Sequence, residues 1–131
     1  MRRILSTAML AGVLFLSSAA PVVLDAHHAV GAVYRLNEQV TIEGVVVSLV
    51  HRSPHSFIHV KAPDRSKQMR VWAVECGSAE QFRRNVLDGT LKPGDDVVVT
   101  GDVGRDEGQW RLRLRSVVRP RDGWRWKEWL R

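Results

Sequence analysis

The stretch Val40–Val60, VTIEGVVVSLVHRSPHSFIHV, decides the predicted fold. Two runs rich in β-branched residues flank a polar segment that contains His51, Pro54 and His55, and such runs are typical of strands. Pro54 has no backbone N–H for a strand ladder and pushes its predecessor into an extended conformation. Gly44, within the first run, indicates a bulge or bend. The stretch therefore predicts two strands joined by a turn, with two histidines at the mouth of the hairpin.

Further elements are predicted on the C-terminal side of this hairpin. Ser78 and Gln81 fit a capping box, which predicts the start of a helix. The predicted elements are a second strand over 55–61, a third over 69–76, a helix over 78–87, a fourth strand over 96–103 and a fifth over 110–118. This order predicts a mostly β protein, a small OB-like five-stranded Greek-key barrel with one helix between strands three and four. A small open sheet with one helix packed on it is the alternative.

The first 26 residues differ in kind from the rest of the chain. Arg2 and Arg3 precede an apolar run and then small residues, which is the pattern of a secretory signal. Cleavage after Ala26 competes with cleavage after Ala19, and an uncleaved anchor is the alternative, although the apolar run is shorter than the ~20 residues that a membrane span needs. We expect a periplasmic or secreted protein with no transmembrane segment after signal removal. The predicted organisation is a signal peptide over 1–26, an N-terminal leader over 27–39, an OB-like β-barrel domain over 40–119 and a basic, Trp-rich C-terminal tail over 120–131.

The positive charge is concentrated at the C-terminal end. Residues 27–108 carry ten Lys or Arg against eleven Asp or Glu, a net charge of −1, whereas residues 109–131 carry eight against two, a net charge of +6. A nucleic-acid-binding domain is expected to be basic over more of its length, so we expect no nucleic-acid partner. The single cysteine, Cys76, cannot form an internal disulfide and is predicted to be a small buried hydrophobe.

Short motifs along the chain carry a family resemblance. In chain order they are His27-His28, Pro54-His55, Trp72-Ala73-Val74-Glu75, Gly77-Ser78, Leu91-Lys92-Pro93-Gly94-Asp95 and Arg115-Ser116-Val117. They resemble a family of short exported bacterial proteins known as domain of unknown function 6152. The resemblance implies an exported location and a small OB-like domain, without an activity. The chain departs from the family pattern at Ala29, where Ser is usual, at Ser53, where Asn is usual, at Cys76, where Leu is usual, and from Trp124 onward, where it is richer in Trp.

The histidines are clustered within one third of the chain, at His27, His28, His51, His55 and His59. Histidine is the commonest metal ligand, and copper(II) favours nitrogen ligands in tetragonal geometry. The predicted ligand-binding residues are His51, His55 and Glu75, and the predicted metal ligands are His27, His28 and His55. Glu75 is expected to face His55 across the barrel, as one half of an acid/base pair or as a carboxylate that orients a ligating histidine. The alternative is an exposed strand glutamate that pairs with Lys or Arg. Copper is therefore the candidate cofactor.

The signal cleavage site changes this metal hypothesis. A cut after Ala26 gives His27 a free α-amine beside its imidazole, whereas a cut after Asp25 places His28 third, where an amine, two amides and an imidazole can wrap one Cu(II) ion. The alternative is that the leader is disordered and that His55 holds the turn by hydrogen bonds. The sequence contains no CxxC or HExxH motif, so the hypothesis depends on clustering alone.

No sequence motif combines a nucleophile with a base and an orienting group, so we expect a protein that is not an enzyme. The predicted function is an exported binding domain of unknown ligand. The alternative is an interaction module that docks on an anionic envelope component through the last strand and the tail. The predicted anion-binding residues are Arg111, Arg113, Arg115, Trp124 and Trp126. A solvated arginine face, with tryptophans that cover an open end of the barrel, explains the same pattern without a partner.

Overall fold

The six strands that the structure describes form one β-sheet, and the prediction of a mostly β protein is confirmed. The computed structural model describes residues 25–87 and 90–127. The helices are α1, Asp25–Val33, and α2, Ala79–Phe82, which continues as a π-helical segment, Arg83–Leu87. The strands are β1, Tyr34–Val50, β2, Ser56–Pro63, β3, Met69–Cys76, β4, Asp96–Gly104, β5, Arg111–Arg119, and β6, Trp124–Lys127.

The strands pair in the order β3-β2-β1-β4-β5-β6, and neighbours in this order are antiparallel. One further pairing is parallel and joins residues 73–75 of β3 to residues 111–113 of β5. Strands β1, β2, β3, β5 and β4 are therefore linked in a continuous circuit of pairings. Because side chains alternate across each strand, one face of every strand in the circuit can contribute to a common core.

The core contains side chains from all six described strands and from the segment that follows β3. Its buried members are Ile42, Val46, Ile58, Val60, Ala62, Trp72, Val74, Cys76, Phe82, Val86, Leu91, Val97, Val99, Leu112, Leu114, Val117 and Trp126. The predicted burial of Cys76 is confirmed. Side chains alternate along β3, since Trp72 and Val74 are buried while Val71 is exposed.

Glycine 44 lets β1 approach β2 closely. A Cβ atom at Gly44 would lie 2.2 Å from the Lys61 carbonyl oxygen and 2.7 Å from the Ala62 Cβ. Two residues further on, the register of β1 against β2 shifts between Val46 and Ser48. At the position where a bulge or bend was predicted from Gly44, β1 makes a close contact with β2 and a bulge follows. A close contact and a bulge are both common reasons for glycine inside a strand.

Strand β1 begins at Tyr34, earlier than the predicted start at Val40. Tyr34 and Arg35 pair with β4, and the register of β1 against β4 then shifts between Arg35 and Gln39. This irregularity breaks the period-two alternation by which a strand is identified in a sequence. Tyr34 is nevertheless part of the sheet and is buried.

The helical segment after β3 begins as predicted. The Ser78 hydroxyl accepts a hydrogen bond from the Gln81 backbone N–H at 3.2 Å. The α-helical part ends at Phe82, and the rest of the predicted helix is π-helical. Phe82 and Val86 are both fully buried, so the change of helix type keeps two large side chains on the core. In the part of the chain that the structure describes, no helix is long and apolar enough to cross a membrane.

Replacement of Gly44 by alanine tests the close approach of β1 and β2. Because the new Cβ would overlap the Lys61 carbonyl, we expect Gly44→Ala to lower the free energy of unfolding by about 1–3 kcal/mol. Urea unfolding followed by tryptophan fluorescence measures this change. Gly31→Ala is the matched control, because a Cβ there meets nothing within 4 Å. Equal stability of the Gly44→Ala variant and the wild type would contradict the packing described here.

Candidate functional site

The Glu75 carboxylate is the centre of a cluster of polar side chains. One oxygen, Oε2, accepts hydrogen bonds from the Tyr34 hydroxyl and from Arg111 Nη2, the latter at 2.6 Å. The other oxygen, Oε1, contacts His55 Nδ1. Arg111 Nε also donates to the Tyr34 hydroxyl oxygen at 2.6 Å. The four side chains therefore form one hydrogen-bonded network.

Four separate parts of the chain bring this network together. Glu75 is in the segment of β3 that pairs in parallel with β5, where Arg111 is the first residue. Tyr34 is the first residue of β1, and His55 directly precedes β2. The Arg111 guanidinium also lies over two aromatic rings, 5.5 Å from the Tyr34 centroid and 5.4 Å from that of Phe57. These contacts fix the guanidinium against the carboxylate.

The network changes the pKa values of its members. Burial alone would raise the pKa of Glu75, but hydrogen bonds from Tyr34 and Arg111 and the positive charge of Arg111 lower it below its ordinary value of 4.5. Burial and the adjacent Glu75 carboxylate raise the pKa of the Tyr34 hydroxyl far above its ordinary range. At neutral pH the cluster therefore contains an ionised Glu75, a neutral Tyr34 and a charged Arg111.

The His55 side chain is the exposed member of the cluster. It is 57% exposed, whereas the Glu75 side chain is 14% exposed. Because Nδ1 faces the carboxylate, Nε2 is the nitrogen that is left for another partner. A cavity of about 220 Å³ lies beside it, with His55, Glu75, Arg113 and Val30 of α1 in its wall. The arrangement presents one oriented imidazole to a small ligand.

The remaining predicted histidines are not in this cluster. His51 stacks on Phe82, with ring centroids 5.6 Å apart, and among the described residues no hydrogen bond or ring contact joins it to His55 or Glu75. His59 contacts the Ser48 hydroxyl at 2.8 Å through Nδ1 and stacks on Phe57. Within residues 25–87 and 90–127, no three His, Cys, Asp or Glu side chains are grouped to hold a metal ion.

The side chains of the predicted ligands His27 and His28 lie outside the described residues. Their backbone belongs to α1, the helix that places Val30 at the wall of the His55 cavity.

Most of the predicted anion-binding residues have partners within the protein. Arg111 pairs with Glu75, and Arg115 Nε donates to both oxygens of the fully buried Asp102 at 3.1 and 2.9 Å. Arg113 has no ion pair with any residue that the structure describes.

The two tryptophans of the predicted anion-binding set pack against the protein. Trp126 is buried in the core, and Trp124 lies under the Arg119 guanidinium, 5.6 Å from it. Both belong to β6, which pairs with β5. The part of the predicted tail over 124–127 thus extends the sheet.

Three interactions, one in the Glu75 network and two elsewhere along β5, were not predicted from the sequence. The role of Tyr34 was missed because it is the only tyrosine and lies in a segment without periodicity. The partner of Arg115, Asp102, was missed although an aspartate inside a valine-rich run is a signal of a buried carboxylate. Likewise Asp95, buried at the end of a turn, accepts from Arg119 at 2.8 Å.

The fold and the site define a small, mostly β domain that carries a His-Glu-Arg-Tyr cluster at one edge of the β3–β5 contact. A family model described as "Family of unknown function (DUF6152)" matches residues 14–113. The chain therefore belongs to this family, and the resemblance identified from the sequence motifs is confirmed. No curated protein and no solved structure matches the chain.

The lowered pKa of Glu75 predicts a pH-dependent contribution to stability. A carboxyl group whose pKa is lowered by folding stabilises the fold at pH values above its ordinary pKa, here 4.5. This stabilisation is lost as the pH falls through the lower pKa of the folded state. We expect Glu75→Gln to cost about 1–3 kcal/mol at pH 7, because it replaces a charged acceptor of Arg111 and Tyr34. The cost should shrink in acid, where the wild-type carboxyl is itself neutral.

Urea unfolding at a series of pH values measures this difference. The matched control is Glu107→Gln, since the Glu107 side chain is 84% exposed and pairs only with Arg35 among the described residues; its effect should stay within about 0.5 kcal/mol. A Glu75→Gln cost that is the same at pH 7 and at pH 3 would mean that the ionised carboxylate does not supply the stabilisation.

Proposed function

We propose that the protein is an exported, non-enzymatic binding domain, periplasmic or secreted, and that its ligand site is the cavity beside His55. The export proposal is supported by the basic, apolar and small-residue order of the first 26 residues. The binding proposal is supported by one observation above all, which is that Glu75 holds Nδ1 of an exposed imidazole.

The contact between His55 and Glu75 is of the kind that orients a metal-binding histidine. In metal sites a ligating histidine almost always donates its second ring N–H to a carboxylate, a carbonyl or a water, which fixes the ring and makes the free nitrogen a better ligand. Here the Nδ1 side of His55 contacts Glu75, and the carboxylate is itself held by Arg111. His55 is therefore arranged to offer Nε2 to a metal ion.

Copper(II) is the proposed ligand, with His27 and His28 as the further ligands. The contact of Val30 with the His55 cavity supports this proposal, because the two histidines belong to the same helix as Val30. Imidazole and amine nitrogens suit copper(II) well. The new N-terminus left by signal cleavage would supply the amine.

The non-enzymatic assignment is supported by the burial of Cys76 and by the contacts of Ser48. Cys76 is 2% exposed, and its thiol donates to the Val74 carbonyl at 3.6 Å. Ser48 contacts His59, but within the described residues no carboxylate orients that imidazole. A nucleophile needs a base and a group that orients the base, and among the described residues Ser48 has the first of these without the second.

The proposed fold is an OB-like Greek-key barrel. It is supported by the circuit of pairings through β1, β2, β3, β5 and β4, and by the helical segment between β3 and β4. OB-folds are five-stranded partly open barrels that commonly serve as binding domains. The proposed barrel therefore agrees with a binding function but does not identify the ligand.

Copper titration of the protein purified from the cell envelope tests this proposal. We expect one tight Cu(II) site per chain by calorimetry and an intact mass that begins at Ala26 or His27. His55→Ala should weaken binding by more than ~100-fold, and Glu75→Gln by ~10–100-fold, because the carboxylate acts through the histidine.

His59→Ala is the matched control, since His59 contacts Ser48 and is not in the wall of the His55 cavity. Copper binding that is equally weak in the wild type and in His55→Ala would refute the metal proposal. A mass that begins upstream of Asp25 would remove the terminal amine from the proposed ligand set.

A further inference from the structure

One arginine of β5, Arg113, lacks a carboxylate partner among the residues that the structure describes. Arg111, Arg113 and Arg115 lie on the same face of β5, because the two leucines between them are buried in the core. Arg111 pairs with Glu75, and Arg115 pairs with Asp102. Arg113 makes no ion pair and no side-chain hydrogen bond with any described residue. On this face three arginines therefore meet two carboxylates, and one positive charge is left over.

The two carboxylates that lie opposite Arg113 are bonded to other residues. Glu75 is opposite Arg113 in the parallel pairing with β3, and Asp102 is opposite it in the antiparallel pairing with β4. Both oxygens of Glu75 have partners within the Glu75 network. Both oxygens of Asp102 accept from Arg115 Nε. The Arg113 guanidinium therefore keeps its donors for a molecule from outside the protein.

Arg113 and His55 line the same cavity, of about 220 Å³. The Arg113 backbone is paired with strands on both sides, so its side chain is the part that reaches the cavity wall. This side chain is half-buried, which reduces the screening of its charge by water. The Ser78 hydroxyl, also in the wall, accepts from the Gln81 N–H and keeps its own O–H to donate. The cavity therefore combines an unpaired cation and a second donor with the oriented imidazole.

The charge and the apolar wall residues indicate which anion fits this cavity. One unpaired positive charge matches a singly charged carboxylate better than a doubly charged phosphate. A guanidinium can bind a carboxylate through two parallel N–H···O bonds. Val30 and Pro54 supply an apolar part of the wall, against which the hydrocarbon part of an organic acid can pack. The volume lies below the range of roughly 300–1,000 Å³ that is usual for small-molecule sites, so a short acid fits better than a larger one.

We propose that the His55 cavity binds the carboxylate of a small organic acid through Arg113, and that this carboxylate and copper(II) bind cooperatively. The inference rests on the proposed function, because it uses the cavity proposed there as the ligand site. A divalent cation at Nε2 of His55 would be repelled by the Arg113 guanidinium in the same small cavity. A carboxylate between the two cations would remove this repulsion. Each ligand should therefore raise the affinity for the other by the same factor.

Propionate is the probe for the metal-free protein. Its binding is measured by NMR, from the shifts of the backbone amides of residues 75–78 and 113, at an ionic strength kept constant with chloride. The shifts should saturate at millimolar propionate. Propionamide has the same shape without the charge and should not produce them.

Two substitutions of Arg113 assign propionate binding to this residue. Arg113→Gln should weaken binding about 10- to 100-fold, which is the usual effect of removing a hydrogen bond to a charged group. Arg113→Lys should weaken it less, because lysine keeps the charge and loses the planar fork. Arg125→Gln is the matched control, since Arg125 is exposed, has no ion pair among the described residues and is not in the cavity wall.

Calorimetric titration with Cu(II) tests the cooperation between the two ligands. Saturating propionate should raise the affinity of the wild type for Cu(II) about tenfold, after correction for the copper that propionate itself binds. The same propionate should leave the Cu(II) affinity of Arg113→Gln unchanged. A Cu(II) affinity of the wild type that does not depend on propionate would refute the cooperation.

Two results would overturn the carboxylate site itself. They are the absence of saturable propionate binding by the metal-free wild type and an equal propionate affinity of the wild type and Arg113→Gln. The outcome for copper is distinguishable from these. A protein that binds propionate through Arg113 but no copper would refute the copper proposal and support the carboxylate site, whereas copper binding at His55 without propionate binding would do the opposite.

Discussion

The parallel pairing of β3 with β5 links strands that are far apart in the chain, and the charged side chains of the site depend on it. Only residues 73–75 and 111–113 take part. Between them the chain must pass through the helical segment and the whole of β4, so the contact carries the entropic cost of closing a long loop. The contact brings Glu75 within reach of Arg111, and their ion pair supplies part of the free energy that offsets this cost.

Similar ion pairs recur along β5 and explain why this strand contains so many arginines. Arg111, Arg115 and Arg119 each reach a carboxylate that is buried or nearly so, namely Glu75, Asp102 and Asp95. A buried carboxylate without its cation would cost about 3–5 kcal/mol. The arginines of β5 are therefore required by acidic residues elsewhere in the sheet. A strongly basic end of the sequence becomes, in the folded protein, a strand whose positive charge is largely balanced.

Regular alternation and capping made part of the fold predictable. The strand at residues 69–76 and the helix start at Ser78 follow from local patterns, and the structure has both. The contact between His55 and Glu75 was also anticipated, as one of the two alternatives for Glu75. Three other features could not be predicted, for physical reasons. The pairing of Tyr34 depends on an irregular register against β4, the short strand β6 depends on burial of Trp126 against β5, and the separation of His51 from His55 depends on the stacking of His51 on Phe82.

The two oxygens of Glu75 contact different partners, and this division affects how the site can be studied. Oε2 accepts from Tyr34 and Arg111, which join β1 and β5 to β3, while Oε1 contacts the exposed imidazole of His55. One carboxylate thus contributes to stability and orients a ligand-binding side chain. A substitution at Glu75 changes both properties, whereas a substitution at His55 removes an exposed side chain and leaves the Arg111 and Tyr34 contacts in place. A His55 variant therefore tests ligand binding without changing the contacts that stabilise the fold. The difference in binding affinity between the Glu75 and His55 variants measures how much the carboxylate contributes to binding through the histidine.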